Sequence, residues 1–464
     1  MNKTKLFNSN YCTVFLFFLV GLVHIQISAQ QFSKAEVLSD LKYLKKSLED
    51  THFNLYAYTS KEDFEQNFES IKNEIKKDSF NLLEVTKLFQ KIVSKANNGH
   101  TRISFVQPYK MYVKTGGTVF PLEIAIENGK AFVRKNWSIN KDIQIGAELK
   151  RINGLRIKQV LEKIYPLVSG ERTYFMNAQI EYLTLPRYYW LAFGEQENFE
   201  IEIFQNEKSK VIKINAISAL DDFEMKRYDI INHERTIKFY PNAAYLNPGH
   251  FGGKFEQYKQ FIDTTFIQIK AKNSKNLIID LRNNPGGDDA FSDYLVSYIA
   301  NKPFKWASRF QLKTSAHLKE NTRHTKDTTK AYWKSILEHN NGEIYDYNFS
   351  FNEPQAKTKL FRGKVYVLVN RQSYSQSTVT ASQIQDYGFG TIVGEETAEF
   401  PNLYASVYNY KLPETAIIVE VSKGKIERIN GIDNGKGVIP DILIKDHLLD
   451  EQDEILEGLL KRIH

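Results

Sequence analysis

Cysteine is almost absent: Cys12 is the only one in 464 residues. It lies in a leader-like stretch expected to be removed, so the mature chain has no means of forming disulfides, using a thiol nucleophile or holding cysteine-ligated metal. Excess charge of one sign is scarce too. Residues 1–29 contain Lys3, Lys5 and no acid, so losing them lowers the formal net charge of +7 by two. A surplus that small gives no reason to expect nucleic-acid binding. The chain has no internal repeat, no low-complexity tract and no His-Glu-x-x-His, so no metal or other cofactor is expected.

What is present is ordinary globular material, with 42% hydrophobic and 25% charged residues, long enough for two or three domains. Aromatics are plentiful, 31 Phe and 26 Tyr, enough to fill a core or line a peptide groove. The first residues read as a signal peptide, 1–29. A short basic start leads into Val14–Val20, and Ile27-Ser28-Ala29 offers small residues for cleavage before Gln30. His24 and Gln26 interrupt the apolar run and argue against a retained span. Ser9-Asn10-Tyr11 makes a poor lipobox, so a lipid anchor on Cys12 is the weaker option. The expected location is periplasmic or secreted.

Residues 30–108 read as an N-terminal helical segment. Ser33 and Glu36 have capping-box spacing ahead of Val37, Leu41, Leu44 and Leu48. A second periodic stretch from Leu82 to Val93 runs into Asn97-Asn98-Gly99-His100-Thr101, which places His100 where a helix gives way to a strand. Residues 109–215 read as short strands, with a hairpin turn at Glu127-Asn128-Gly129-Lys130. Ile145–Gly154, followed by a helix around Val160–Ile164, gives this part the look of a PDZ-like domain. From 216 to 450 the signal is α/β, after a connector over 216–240. Leu277–Leu281, Val365–Asn370 and Thr391–Gly394 are the continuous apolar runs of a buried parallel sheet. The polar stretch 310–360 reads as an insertion rather than core, and 451–464 as a C-terminal helix.

Two strand exits carry chemistry. Arg282-Asn283-Asn284-Pro285-Gly286-Gly287 follows the first buried strand, and paired glycines let backbone N–H groups turn outward. Taken alone, such a stretch is most simply a tight turn. Ser373, Tyr374, Ser375, Gln376, Ser377 and Thr378 follow the second strand and precede a helix. A serine there presents its hydroxyl at a helix N-terminus, which stabilises developing negative charge. The plainer alternative is that these hydroxyls merely cap the helix.

Taken in order, these pieces resemble the tail-specific (C-terminal processing) serine peptidases, in their tricorn-core-like branch. The matching text is Asp280–Gly287, Ser375 in its strand–helix turn, Gly388, Val393-Gly394-Glu395, Thr397 and Gly437-Val438-Ile439-Pro440-Asp441. The resemblance implies a fold class of α/β: a ClpP/crotonase-like catalytic core with an N-terminal helical segment and a PDZ-like β-rich domain. It implies a peptide or protein substrate and the nucleophile Ser375, with Ser373 and Ser377 as fallbacks. It gives the oxyanion donors as the N–H of Gln376 and one from Gly286 or Gly287. The family's lysine position, twenty-five residues after the serine, is Phe400 here, so a Ser–Lys dyad is excluded. The resemblance makes His100 the general base, in an Asn-Gly-His-Thr version of the branch's Asp-Gly-His-Thr, and Asp433 the supporting acid. His250 is the other histidine near a core strand end. The competing expectation is a non-catalytic binding protein on the same fold, with the aromatic stretch Tyr174–Phe193 lining a ligand pocket. Oligomeric state leaves no signal.

Overall fold

A computed structural model describes residues 31–227, 234–450 and 452–463. The expected signal peptide and Cys12 lie outside the described residues. Three sheets organise the rest. The central one has six strands in the order Thr236–Tyr240, Ala243–Asn247, Asn276–Asp280, Lys364–Val369, Thr391–Gly394 and Ile442–Leu443. The first pair is antiparallel and every other neighbour parallel.

Alternation along these strands explains the layers. Leu277, Ile279, Val365, Val367 and Val369 face one side, where Tyr258, Ile262, Phe291 and Ile384 pack from three helices. Ile278 and Leu368 face the other, under Ile455 and Leu459 of the C-terminal helix Glu454–Leu460. A sheet covered on both faces has no room for polar alternation, so its strands read as unbroken apolar runs.

The β-rich part is a six-stranded antiparallel sheet containing Leu122–Glu127, Lys130–Asn136, Glu148–Ile152, Asn198–Gln205 and Lys208–Asn215. Asn128 and Gly129 both take positive φ at its first hairpin (51° and 75°), as a two-residue turn of this hand requires. The aromatic stretch beyond it forms two helices, Thr173–Leu183 and Leu185–Phe193, not strands.

The third sheet corrects the reading of 310–360 as a polar insertion outside the core. Arg309–Lys313 and Ile344–Asp346 join Ile418–Glu427 and Leu403–Lys411, with Arg102–Ile103 paired on the side. Phe310, Leu312, Leu318 and Ile336 are buried there against Val37, Leu41 and Leu44 of the helix Lys34–Thr51. The polarity of this stretch belongs to one face of two short helices; the other face closes a core. That helix begins as the sequence indicates, with Ser33 and Glu36 forming a reciprocal capping box.

Candidate active site

The strand Lys364–Val369 ends in a loop that delivers Ser375 to the start of the helix Gln376–Tyr387. Ser375 has φ +55°, a left-handed conformation uncommon for a residue with a Cβ. It makes no side-chain cap bond to its helix, which disposes of the plain capping alternative for this residue. Its Oγ lies 3.1 Å from Nε2 of His100 instead. The neighbouring serines are buried, and neither is hydrogen-bonded to His100. Ser373 Oγ donates to the carbonyl of Leu281 at 2.7 Å, and Ser377 Oγ is sealed inside the helix with no partner.

His100 comes from the other end of the chain. The helix Leu82–Val93 runs into a short 3-10 turn that ends with Asn97 left-handed at φ +49°, and the chain then swings through Gly99. His100 is buried, and its imidazole stacks on Tyr374, ring centroids 4.7 Å apart and 13° from parallel. Its Nδ1 lies 3.2 Å from Oε1 of Glu399, close but not aligned as a hydrogen bond. The other carboxylate oxygen of Glu399 accepts the backbone N–H of Ser375.

The acid beside His100 is therefore Glu399, and the expectation of Asp433 is corrected. Asp433 is exposed on the irregular stretch after Asn430. The Gly437–Asp441 motif acts on the acid indirectly. Val438 N–H donates to Thr397 Oγ1 at 2.8 Å and Gly437 N–H to Glu396 Oε1 at 2.8 Å, which pins the segment carrying Glu399. Glu399 immediately precedes Phe400, the family's lysine position, but it shares its stretch with Glu395 and Glu396, and only the fold turns residue 399 towards His100. His250 is exposed in its turn and takes no part.

Burial governs the electrostatics. It pushes the His100 imidazole down to about 3, with the Arg102 charge adding to it, and favours the neutral base. Burial likewise pushes the Glu399 carboxyl up, helped by the nearby charge of Glu171, while the Ser375 N–H works the other way by favouring the carboxylate.

The glycine pair packs against the serine turn. A Cβ on Gly286 would come within 2.5 Å of the Gln376 nitrogen and 2.8 Å of Ser375 Cβ. A Cβ on Gly287 would meet the carbonyl oxygen of Phe251 at 1.9 Å, and both glycines have positive φ. The N–H of Gly286 already donates to Asn284 Oδ1 at 3.0 Å. That of Gly287, on the exposed residue of the pair, donates to no protein acceptor among the described residues. Among the described residues a possible cation cluster is Asp446, His447 and Glu454, on the C-terminal segment and not in the serine site.

Comparison with known proteins adds the family. Residues 242–444 match the model of peptidase family S41. The resemblance to tail-specific processing peptidases holds with it, and so does the class of enzyme, a serine-type peptidase. The strands that carry Asp280, Val369 and Gly394 all fall within the matched region; His100 lies outside it. Among solved structures, mature CPAF is 13% identical, with 88% of this chain and 92% of that chain covered at a TM-score of 0.62. CPAF complexed with lactacystin gives 14%, 88%, 93% and 0.63. The photosystem II D1 C-terminal processing protease is 16% identical over 92% of this chain and 97% of that one, at a TM-score of 0.46. The two CPAF structures show that the S41 protease fold, β-rich domain included, extends over most of the chain. Among the described residues no helix is long and apolar enough to cross a membrane.

Proposed function

We propose that the protein is an exported serine peptidase in which Ser375 is the nucleophile, His100 the general base and Glu399 the acid that orients it. The observation that carries this reading is the 3.1 Å approach of His100 Nε2 to Ser375 Oγ, between residues 275 positions apart. Such a contact across the chain, on a serine freed from capping, is what nucleophile activation needs.

Ser375 Oγ attacks the scissile carbonyl carbon while its proton passes to His100 Nε2. Two backbone N–H groups, from Gln376 and Gly287, receive the oxyanion; the N–H of Gly286 is already engaged by Asn284. The imidazolium then returns its proton to the leaving amine as the C–N bond breaks, leaving an acyl ester on Ser375. Water attacks that ester, its proton going to His100, and the acid product leaves as Ser375 regains its proton. Glu399 stabilises the imidazolium formed in each half-reaction, and its contact with the Ser375 backbone fixes base and nucleophile in one frame. Export rests on the leader-like sequence of residues 1–29.

The test is cleavage of a peptide library by the protein beginning at Gln30, with products read by mass spectrometry. Wild type should cleave, and a folded Ser375→Ala protein should not. Cleavage retained in that variant moves the nucleophile elsewhere.

One observation favours a second reading, a binding role. A cavity of about 640 Å³ is lined by apolar side chains, including Phe105, Tyr109, Val113, Leu183 and Tyr188, interspersed with charged ones such as Arg102, Lys110 and Glu224. Leu183 and Tyr188 come from the aromatic stretch singled out in the sequence, and the size suits a small ligand. Copurification of a ligand together with failure to cleave would favour this reading over the first.

A further inference from the structure

The five residues from Glu171 to Phe175 touch the carriers of all three proposed catalytic groups. Glu171 Oε1 accepts two hydrogen bonds from the His100 turn, from Asn98 Nδ2 at 3.0 Å and from the Gly99 N–H at 3.0 Å. Arg172 reaches the Glu399 segment, donating to the carbonyls of Ala398 and Thr397 at 2.9 Å each and pairing with Glu396 at 2.8 Å. Tyr174 adds a bond from its hydroxyl to the carbonyl of Glu396 at 3.1 Å. Phe175 lies against Tyr374, the residue before the serine, at a centroid distance of 5.6 Å. A Cβ on Gly99 would meet the Phe175 ring at 2.3 Å, so the fit between this segment and the histidine turn is close.

We infer that Glu171–Phe175 is a positioning clamp that assembles the catalytic groups, with Glu171 the residue that sets His100. The inference rests on the Ser375–His100 reading above. The segment follows the PDZ-like sheet's helix Ile157–Ile164, whereas Ser375 and Glu399 belong to the central α/β part and His100 to the N-terminal part. Three remote pieces of chain meet on one short stretch.

The identity of residue 98 follows from the clamp. Asn98 is fully buried, and its amide nitrogen donates both to Glu171 Oε1 and to the carbonyl of Tyr404, the latter at 3.2 Å. Its Oδ1 accepts from Thr101 Oγ1 at 2.8 Å and Ser422 Oγ at 2.6 Å. Aspartate could keep the two accepted bonds but would turn a second carboxylate oxygen towards Glu171, a buried like-charge contact. Asparagine is the residue type that donates on one side and accepts on the other. The acceptor oxygen that holds this turn is supplied from position 171 instead.

The experiment measures the rate at which a fluorophosphonate probe labels Ser375, with kcat and KM on a peptide cleaved by wild type. Glu171→Ala should lower the labelling rate and kcat at least tenfold with KM nearly unchanged. Glu171→Gln, which keeps an acceptor oxygen, should restore the rate to within about threefold of wild type. Asn98→Asp should lose activity in the manner of Glu171→Ala, and Asn98→Asp combined with Glu171→Gln should recover part of that loss. This last pair carries the test whether or not Glu171→Ala folds. Labelling of Glu171→Ala at the wild-type rate, or additive losses in the double variant, overturns the clamp. Failure of wild type itself to label overturns the underlying serine reading and is told apart by that.

Discussion

Glu399 and His100 meet at 3.2 Å, Oε1 to Nδ1, in a site where the glutamate side chain is fully buried and the histidine nearly so. Neither position is near the other in sequence, and Glu399 also accepts the N–H of Ser375. Removing this acid should therefore damage the base and the nucleophile together. Glu399→Gln is expected to lower kcat by about 10²–10⁴-fold with the protein still folded, the range in which a triad acid acts. Asp433→Asn, at an exposed position, should leave kcat within about twofold. Steady-state kinetics on one peptide substrate checks both, and the reverse ranking would restore Asp433.

The pH profile follows from the buried imidazole. Its pKa is pushed below the ordinary 6.5, to about 3, by burial and by Arg102. A general base works when unprotonated, so a lowered pKa extends activity towards acid. The acid limb of kcat/KM should therefore lie clearly below pH 6.5. Replacing Arg102 with Gln removes the nearby positive charge and should move that limb upward. A limb at or above 6.5 in wild type would contradict the burial argument.

Gly287 has φ +137°, and a Cβ there would lie 1.9 Å from a backbone oxygen that cannot swing away. Gly287→Ala should thus cost about 2 kcal/mol or more in unfolding free energy, above the usual cost for a glycine held at positive φ. Because the same shift displaces a proposed oxyanion donor, kcat should fall about 10²-fold or more even where the variant remains folded. Chemical denaturation and kinetics separate the two effects. Normal stability in this variant would mean that the close packing on Phe251 is wrong.

Much of this was legible in the chain because local rules determine it. Leu277–Leu281 reads as a strand buried on both faces since period-2 alternation vanishes there, and Ser33 with Glu36 spells out a helix start. The strand and helix ends that carry Ser375, His100 and the glycine pair were legible as places where side chains and N–H groups become available. The choice of Ser375 among its neighbouring hydroxyls, and of His100 as base, came from the resemblance to the peptidase family. Glu399 was not legible, since nothing in Glu395-Glu396-Thr397-Ala398-Glu399 tells which acid faces a histidine some three hundred residues earlier. That choice is made by tertiary contacts: Thr397 holds Val438, Arg172 grips the carbonyls, and residue 399 is turned inward. The stretch 310–360 misled for a related reason. Its few apolar residues, Phe310, Leu312, Leu318 and Ile336, are spread through polar sequence, and their burial depends on a sheet formed with residues a hundred positions away.

The most direct test of the central claim is to label the protein with a fluorophosphonate probe and map the modified residue in wild type, Ser375→Ala and His100→Ala. An activated serine driven by His100 predicts label on Ser375 in wild type and its loss in both variants. Label on Ser373 or Ser377, or undiminished label on Ser375 without His100, would contradict it.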